Sequence, residues 1–231
     1  MMLQTLQSTL ASLELPLEEG VCRKLCAFGE AVVRQNEVMN LTAITEPAAV
    51  AKLHLADSVS LLKCADLRGK TLIDVGCGAG FPGVPVKIAC PEVELTLLDS
   101  LGKRMHWLET CLPQLGVDAE CVTARAEEAA QQRRESYDFA SSRAVARLNI
   151  LLELTAPFVK VGGAVLAMKG SAAEEELKEA QGAIKKLGLK TEKVHHFDID
   201  GADHAVIVLR KVAKTPPQYP RRYAKIKQLP L

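Results

Sequence analysis

Three glycines fall within five positions, at Gly76, Gly78 and Gly80, directly after the apolar run Thr71–Val75. A backbone without β-carbons can turn sharply there and touch a ligand directly. Asp99 stands nineteen residues beyond Gly80, at the end of a second apolar run, Glu94 to Leu98. In a strand–loop–helix unit that spacing suits a carboxylate that accepts hydrogen bonds from ribose hydroxyls. The implied ligand is an adenosine-containing cofactor. Asp74, two residues before Gly76, completes an acid-x-Gly-x-Gly pattern. That form is usual for S-adenosylmethionine sites, where the loop holds an amino-acid end and no phosphate needs cradling.

A short-chain NAD(P)-dependent oxidoreductase is the main rival, and a cofactor-binding regulator without transfer activity is a third reading. The oxidoreductase pair Tyr-x-x-x-Lys occurs as Tyr223 to Lys227, but in a proline-flanked segment after the last strand. For a methyltransferase, the position after the fourth strand names the acceptor. It reads Ser141-Ser142-Arg143-Ala144-Val145, without the Asp/Asn-Pro-Pro-aromatic motif that holds an exocyclic amine. Cys90-Pro91 has the wrong order and place for a cytosine-C5 nucleophile. Both absences favour an acceptor that is already nucleophilic, such as guanine N7. That reaction needs no general base, only orientation and a pocket tolerant of the transferring charge. Arg143, in a small and apolar strand end, is the catalytic candidate.

Basic residues cluster where strands should end: Lys103 and Arg104, Arg125, Arg143 and Arg147, and Lys169. A positive rim beside a nucleotide site points to a phosphodiester substrate. No acidic residue follows Asp203, and Tyr219 and Tyr223 interleave with Arg221 and Arg222. This end reads either as an RNA-stacking segment or as a solvated tail. His54, Asp57 and Ser58 share one helix face and read as a core-polar or capping cluster. Cys22 and Cys26 lack a second ligand pair, and His195-His196 reads as strand, so no metal site is expected.

These residues need a scaffold. Leu3, Leu6, Leu10 and Leu13 recur at helical spacing. A second amphipathic stretch runs from Pro16 to about residue 35, and a third helix from Pro47 to Cys64. From Thr71 short apolar runs alternate with helical stretches, with strands at 71–75, 94–99, 119–123, 137–142 and 163–168. Segments 190–199 and 205–212 are joined by Asp200-Gly201-Ala202-Asp203 alone, so they form an antiparallel hairpin. The expected fold is α/β, a doubly wound, mostly parallel seven-stranded Rossmann-like sheet. It is divided into an N-terminal helical extension (1–65), the main domain (66–213) and a basic proline-containing tail (214–231). The net charge of +1, seven cysteines without CxxC, and the lack of a long apolar run or signal-like start fit a reduced, cytoplasmic, non-membrane protein.

Taken together, the chain resembles the glucose-inhibited division protein B family of bacterial 16S ribosomal RNA guanine-N7 methyltransferases. The resemblance rests on Asn40 to Ile44, His54 with Asp57-Ser58, the run 73–88, Leu97 to Arg104, Arg125-Ala126-Glu127, Ser142 to Ala146 and Ala167 to Gly170. Phe81-Pro82-Gly83 and Asp99-Ser100-Leu101-Gly102-Lys103-Arg104 are its most specific pieces. It implies a class I S-adenosyl-L-methionine-dependent fold. It also implies cofactor contacts from Gly76, Phe81, Ala126, Glu127 and Arg143, beside Gly78 and the ribose candidate Asp99. Cys77 stands where serine or threonine is commoner, and Ala124 replaces a frequent glycine. The expected partner is 16S ribosomal RNA in the small ribosomal subunit, met by a monomer through Lys103, Arg104, Arg147, Lys169, Arg221 and Arg222.

Overall fold

The computed structural model describes residues 1–231. Helix α1 (Met2–Ser12) buries Leu6 and Leu10, and α2 (Glu19–Asn36) buries Leu25, Phe28 and Val32. The expected third helix is one run of changing pitch. It comprises α3 (Pro47–Ala49), a π-helical stretch (Val50–Ala56), α4 (Asp57–Val59) and a 3-10 turn (Ser60–Lys63). π-Helical turns are rare and concentrate at functional positions. Here the widened turn carries His54 and the Leu53 carbonyl, and Asp57 follows directly.

Strands β1 (Thr71–Val75), β2 (Glu94–Asp99), β3 (Glu120–Thr123), β4 (Tyr137–Arg143), β5 (Val159–Lys169), β6 (Leu189–Ile199) and β7 (Ala202–Lys211) form one sheet in the order β3-β2-β1-β4-β5-β7-β6. The first five pair in parallel, and β7 runs antiparallel to both β5 and β6. Helices α5 (Gly83–Ala89), α6 (Gly102–Gln114), α7 (Ala126–Gln132), α8 (Leu148–Thr155), α9 (Ala173–Glu179) and α10 (Gln181–Lys186) lie between strands. One core cluster joins the N-terminal helices, α5 and α6 to the sheet, and a second joins α8 and α10 to it. Central strands covered on both faces read as unbroken apolar runs, which is why β1 was legible. The order reverses at β1, whose neighbours are β2 and β4. That switch point is where an open α/β sheet leaves a crevice at its carboxyl edge.

Three boundaries differ from the sequence expectation. Strand β5 starts at Val159 rather than 163, because Gly163 lets its backbone pass Asp138: a β-carbon there would lie 2.2 Å from the Asp138 carbonyl oxygen. The hairpin turn is only Asp200-Gly201, since Ile199 already pairs with Ala202. Both turn residues have positive φ, 61° and 77°, as a type I′ connection requires. The helical stretch between the strands expected at 163–168 and 190–199 is broken at Ala180 into α9 and α10.

Segment 214–231 is not a solvated tail. Arg134 donates to the carbonyls of Thr215, Pro216 and Tyr219 at 2.6, 3.0 and 2.8 Å. The fully buried Lys211 ammonium donates to Thr215 Oγ1 and to the Ala156 carbonyl. Arg221 forms a two-pronged pair with Glu153 at 2.8 and 2.5 Å. The Glu153 side chain is 0% exposed and that of Arg221 only 14%. A short helix, α11 (Tyr223–Gln228), follows and buries Ile226. Periodicity could not predict this docking, because its anchors are polar side chains from distant elements. Removing one partner leaves a buried charge uncompensated. Glu153→Ala is therefore expected to lower unfolding stability by about 3–5 kcal/mol, read from the urea midpoint. An unchanged midpoint would show that the pair contributes nothing.

Candidate active site

A cleft of 1240 Å³ opens at the carboxyl edge of β1, β2 and β4. Gly76, Gly78, Phe81, Asp99, Ala126, Glu127 and Arg143 all line it. Gly76 has φ 71°, and a β-carbon there would lie 2.5 Å from Val145 Cγ2, so glycine is needed on two counts. The amides of Gly76 and Cys77 both donate to the Leu98 carbonyl, tying the loop to β2. Asp99 tightens the same joint: Oδ2 accepts from the Gly78 amide at 3.0 Å and Oδ1 from the Leu101 amide at 2.9 Å. Each oxygen keeps a lone pair for a further donor. The residues present thus fit an adenosine-containing cofactor: an acceptor pair at the β2 tip, a glycine loop beside it, and Ala126 and Glu127 in the same lining.

Asp74 plays another part than the sequence pattern implied. Its carboxylate is fully buried, outside the cleft lining, and accepts from the Gly83 amide at 2.7 Å and the Ser141 hydroxyl at 3.1 Å. Burial pushes it up to about 7. It shapes the loop from behind, holding β1, β4 and the start of α5 together. Cys77 turns its thiol into the core against Met105 Sδ at 3.8 Å, and burial pushes that thiol well above its ordinary range. It therefore presents neither a hydroxyl nor a thiolate.

Arg143 reaches the cleft from the end of β4, and three residues of the helical run 47–63 hold it. Its Nη1 donates to Asp57 Oδ2 at 2.7 Å and to the Leu53 carbonyl at 2.9 Å. Its Nη2 lies 3.2 Å from His54 Nδ1. Arginine can only donate, so His54 Nδ1 accepts and Nε2 carries the proton toward Thr42 Oγ1, 2.7 Å away. Burial first, then the Arg143 charge, push His54 down to about 4, so the ring is neutral. Asp57 Oδ1 meets His204 Nδ1 of β7 at 2.9 Å. The Arg143 guanidinium lies 5.2 Å from the centre of the Phe81 ring, which also stacks on His54. Ala144, next in the chain, adopts φ 57° and swings the backbone across the cleft so that Val145 covers Gly76. Left-handed non-glycine residues concentrate at functional sites. His54, Asp57 and Ser58 are thus the core-polar cluster the sequence suggested, but two of them face the cleft as braces for Arg143. His204 had no sequence signal, and Thr42 stood only within the run Asn40 to Ile44, because each acquires its role only beside its distant partner.

The basic rim divides. Arg104, Arg147 and Lys169 line the cleft, whereas Lys103, Arg221 and Arg222 do not. Lys169 cannot serve as a free phosphate contact: it is 9% exposed and bound to Glu176 at 2.8 Å and to the Ala146 carbonyl at 2.6 Å. Arg147 is exposed but bridges Glu175 and Glu179. Arg221 is spent on Glu153. Lys103 and Arg222 are exposed, and Arg104 is partly exposed with one donor on the Asn40 carbonyl. The correction has one cause: acidic residues of α8 and α9, invisible to a local reading, neutralise three of the six cations.

A seven-stranded sheet of this order, with a glycine loop after β1 and a carboxylate at the tip of β2, defines a class I methyltransferase fold. Solved structures agree on the fold. One is TYW2 from M. jannaschii in complex with AdoMet, with TM-score 0.55 and 13% identity over 68% of this chain and 77% of that one. Another is a TehB-like SAM-dependent methyltransferase from Corynebacterium glutamicum, with TM-score 0.53 and 16% identity over 79% of this chain and 98% of that one. The chain belongs to the GidB family, rRNA small subunit methyltransferase G, whose model matches residues 21–206. It is 43% identical to the ribosomal RNA small subunit methyltransferase G of Desulfitobacterium hafniense (strain Y51), over 91% of this chain and 89% of that protein. The protein of that name from Clostridium botulinum (strain ATCC 19397 / Type A) is 40% identical over 98% and 97%. This membership displaces the oxidoreductase reading. Tyr223 does reach the cleft, but Lys227 does not line it. No helix is long and apolar enough to cross a membrane, and all seven cysteines are free.

The hydrogen bond from His204 to Asp57 is the first cause that holds His204 above its ordinary pKa. The pair then adds stability while His204 is protonated. That contribution is complete below the unfolded value of about 6.5 and is lost as pH rises through the raised folded value. The stability gap between wild type and His204→Gln, from urea midpoints, is expected to narrow as pH rises above about 6.5. A gap flat across that range would remove the charge from this contact.

Proposed function

We propose that the protein transfers a methyl group from S-adenosyl-L-methionine to N7 of a guanine in 16S ribosomal RNA. The observation that carries this reading is the braced Arg143 beside a glycine-loop cleft in a chain of the rRNA small subunit methyltransferase G family. Gly76, Gly78 and Phe81 hold the amino-acid end of the cofactor, Asp99 takes the ribose hydroxyls, and Ala126 and Glu127 flank the adenine. When bound, the cofactor supplies an electrophilic methyl group on a sulfonium sulfur.

The residues at the other end of the cleft favour an acceptor that needs no base. Asp57 is engaged by Arg143 and His204, and the Nδ1 lone pair of His54 faces Arg143. Guanine N7 attacks through a lone pair that requires no deprotonation, so positioning carries the catalysis. The Hoogsteen edge of guanine presents O6 beside N7, and arginine donates to that edge. Donation from Arg143 to O6 leaves N7 free and sets its direction. Because Asp57 and Leu53 already hold the guanidinium, its contribution is orientation of the base and not stabilisation of the transferring charge. Lys103, Arg104 and Arg222 are the basic residues proposed to reach RNA phosphates. The reading extends to a monomer acting on small ribosomal subunits in the cytoplasm.

Labelled S-adenosylmethionine is the test, offered with small ribosomal subunits that lack the modification and, separately, with free 16S RNA. Label is expected in the RNA, at a position that borohydride–aniline scission identifies as 7-methylguanosine. Cofactor binding without any transfer to either RNA would overturn the reading. Arg143→Ala is expected to cut transfer by about 100-fold or more, with circular dichroism unchanged. Transfer at the wild-type rate in that variant would remove Arg143 from the machinery.

A further inference from the structure

One wall of the cleft comes from the far end of the chain. Tyr223 lines it alongside Asp99, Leu101, Arg125, Ala126 and Glu127. The Tyr223 amide donates to Glu127 Oε1 at 3.3 Å, across 96 residues of sequence. The Arg125 guanidinium lies 4.7 Å from the centre of the Tyr223 ring. The ring is held from both sides in sequence. Arg221, two residues before it, is locked on the buried Glu153, and Ile226, three residues after it, is itself fully buried. The backbone at Tyr223 is thus fixed before any ligand arrives, so presenting the ring to a ligand costs little further chain entropy.

We propose that Tyr223 is a cofactor-binding residue. Its ring packs against the adenine of the S-adenosyl cofactor, and the docked segment 214–231 thereby completes the cofactor end of the cleft. This rests on the cofactor reading above. Two observations place the ring at that end. Its contacts are to Glu127, in the first turn of α7, and to Arg125, which precedes that helix directly after β3. The acceptor end is built instead by Arg143 of β4, His204 of β7 and the helical run that carries His54 and Asp57. A base of the RNA substrate stacked on Tyr223 would sit among the ribose and adenine contacts, not beside Arg143. The Arg125 cation over the ring reinforces the pair electrostatically and orients it. Segment 214–231 therefore carries a binding surface for the cofactor, held by Arg134, Lys211 and Glu153, where the sequence offered an RNA-stacking segment or a solvated tail.

The test is calorimetric titration of the full chain with two probes. S-adenosylhomocysteine carries both ends of the cofactor, and 5′-methylthioadenosine keeps the adenosine and lacks the amino-acid end. Stacking of a base on an aromatic side chain is sequence-tolerant and strong enough to measure. Tyr223→Ala is expected to weaken both probes by about tenfold, or about 1.4 kcal/mol. Tyr223→Phe is expected to bind both within about twofold of wild type, and Lys227→Ala, on the exposed side of α11, to match wild type. Wild-type affinity for both probes in Tyr223→Ala overturns the proposal. So does a loss confined to S-adenosylhomocysteine, which would place the ring at the amino-acid end. Unchanged probe binding with weakened binding of 16S RNA assigns the ring to the substrate and overturns it as well. If Tyr223→Ala does not fold, Tyr223→Leu, which keeps apolar packing and lacks the π face, is read by the same criteria. Failure of wild type to bind either probe would instead overturn the cofactor reading itself.

Discussion

The ion pair of Arg143 with Asp57 is the constraint around which the cleft is organised. Both side chains are largely withdrawn from water, 17% and 6% exposed. A guanidinium in such a place needs a matched partner and filled hydrogen bonds, or its desolvation is not compensated. It has them in Asp57, the Leu53 carbonyl and the lone pair of His54. The cost of separating these groups joins three parts of the chain: the helical run over 47–63, β4, and β7 through His204. The π-helical turn follows from the same demand, since it places Leu53 and His54 on the side of Arg143. The N-terminal helices are thus more than a cover for the sheet, because they supply the counter-charge of Arg143.

Asp74 and Asp99 show how two carboxylates in neighbouring strands divide the work. Asp99 lies at a strand tip and at the cleft, where its second lone pairs remain free. Asp74 lies one layer deeper and is consumed by Gly83 and Ser141. Its value near 7 results from burial, which its two hydrogen bonds only partly offset. The first faces the cleft, and the second fixes the curve of the loop beside it. The acid-x-Gly-x-Gly pattern therefore encodes loop geometry more directly than ligand contact.

Charge pairing also decides which cations can meet a polyanion. Lys169 and Arg221 are nearly enclosed with carboxylates, and Arg147 spans two glutamates. An exposed ion pair contributes little to stability, yet it competes with a phosphate for the same donors. Of the six cations expected to meet RNA, Lys103, Arg104 and Arg222 are the three left outside carboxylate pairs. The same pairing docks segment 214–231 and brings Tyr223 to the β3 side of the cleft.

Much of this was legible in the chain. Strands β1 to β7, the hairpin and the glycine loop follow from periodicity and turn chemistry, which act over a few residues. The distance from Gly80 to Asp99 is set by a single helix and strand, so that pairing was legible too. What lay beyond reach were contacts across long separations. Arg143 and Asp57 are 86 residues apart, and His204 and Asp57 are 147 apart. Nothing local marks such pairs, because a buried charge selects its partner by proximity in space. By itself, then, the sequence determined the sheet, the loop and the carboxylate at the tip of β2, through hydrophobic patterning and backbone sterics. Only the tertiary structure decided which polar side chains are braces, which cations remain free and where Tyr223 stands, because desolvation and ion pairing are set by what surrounds a residue after the chain has closed.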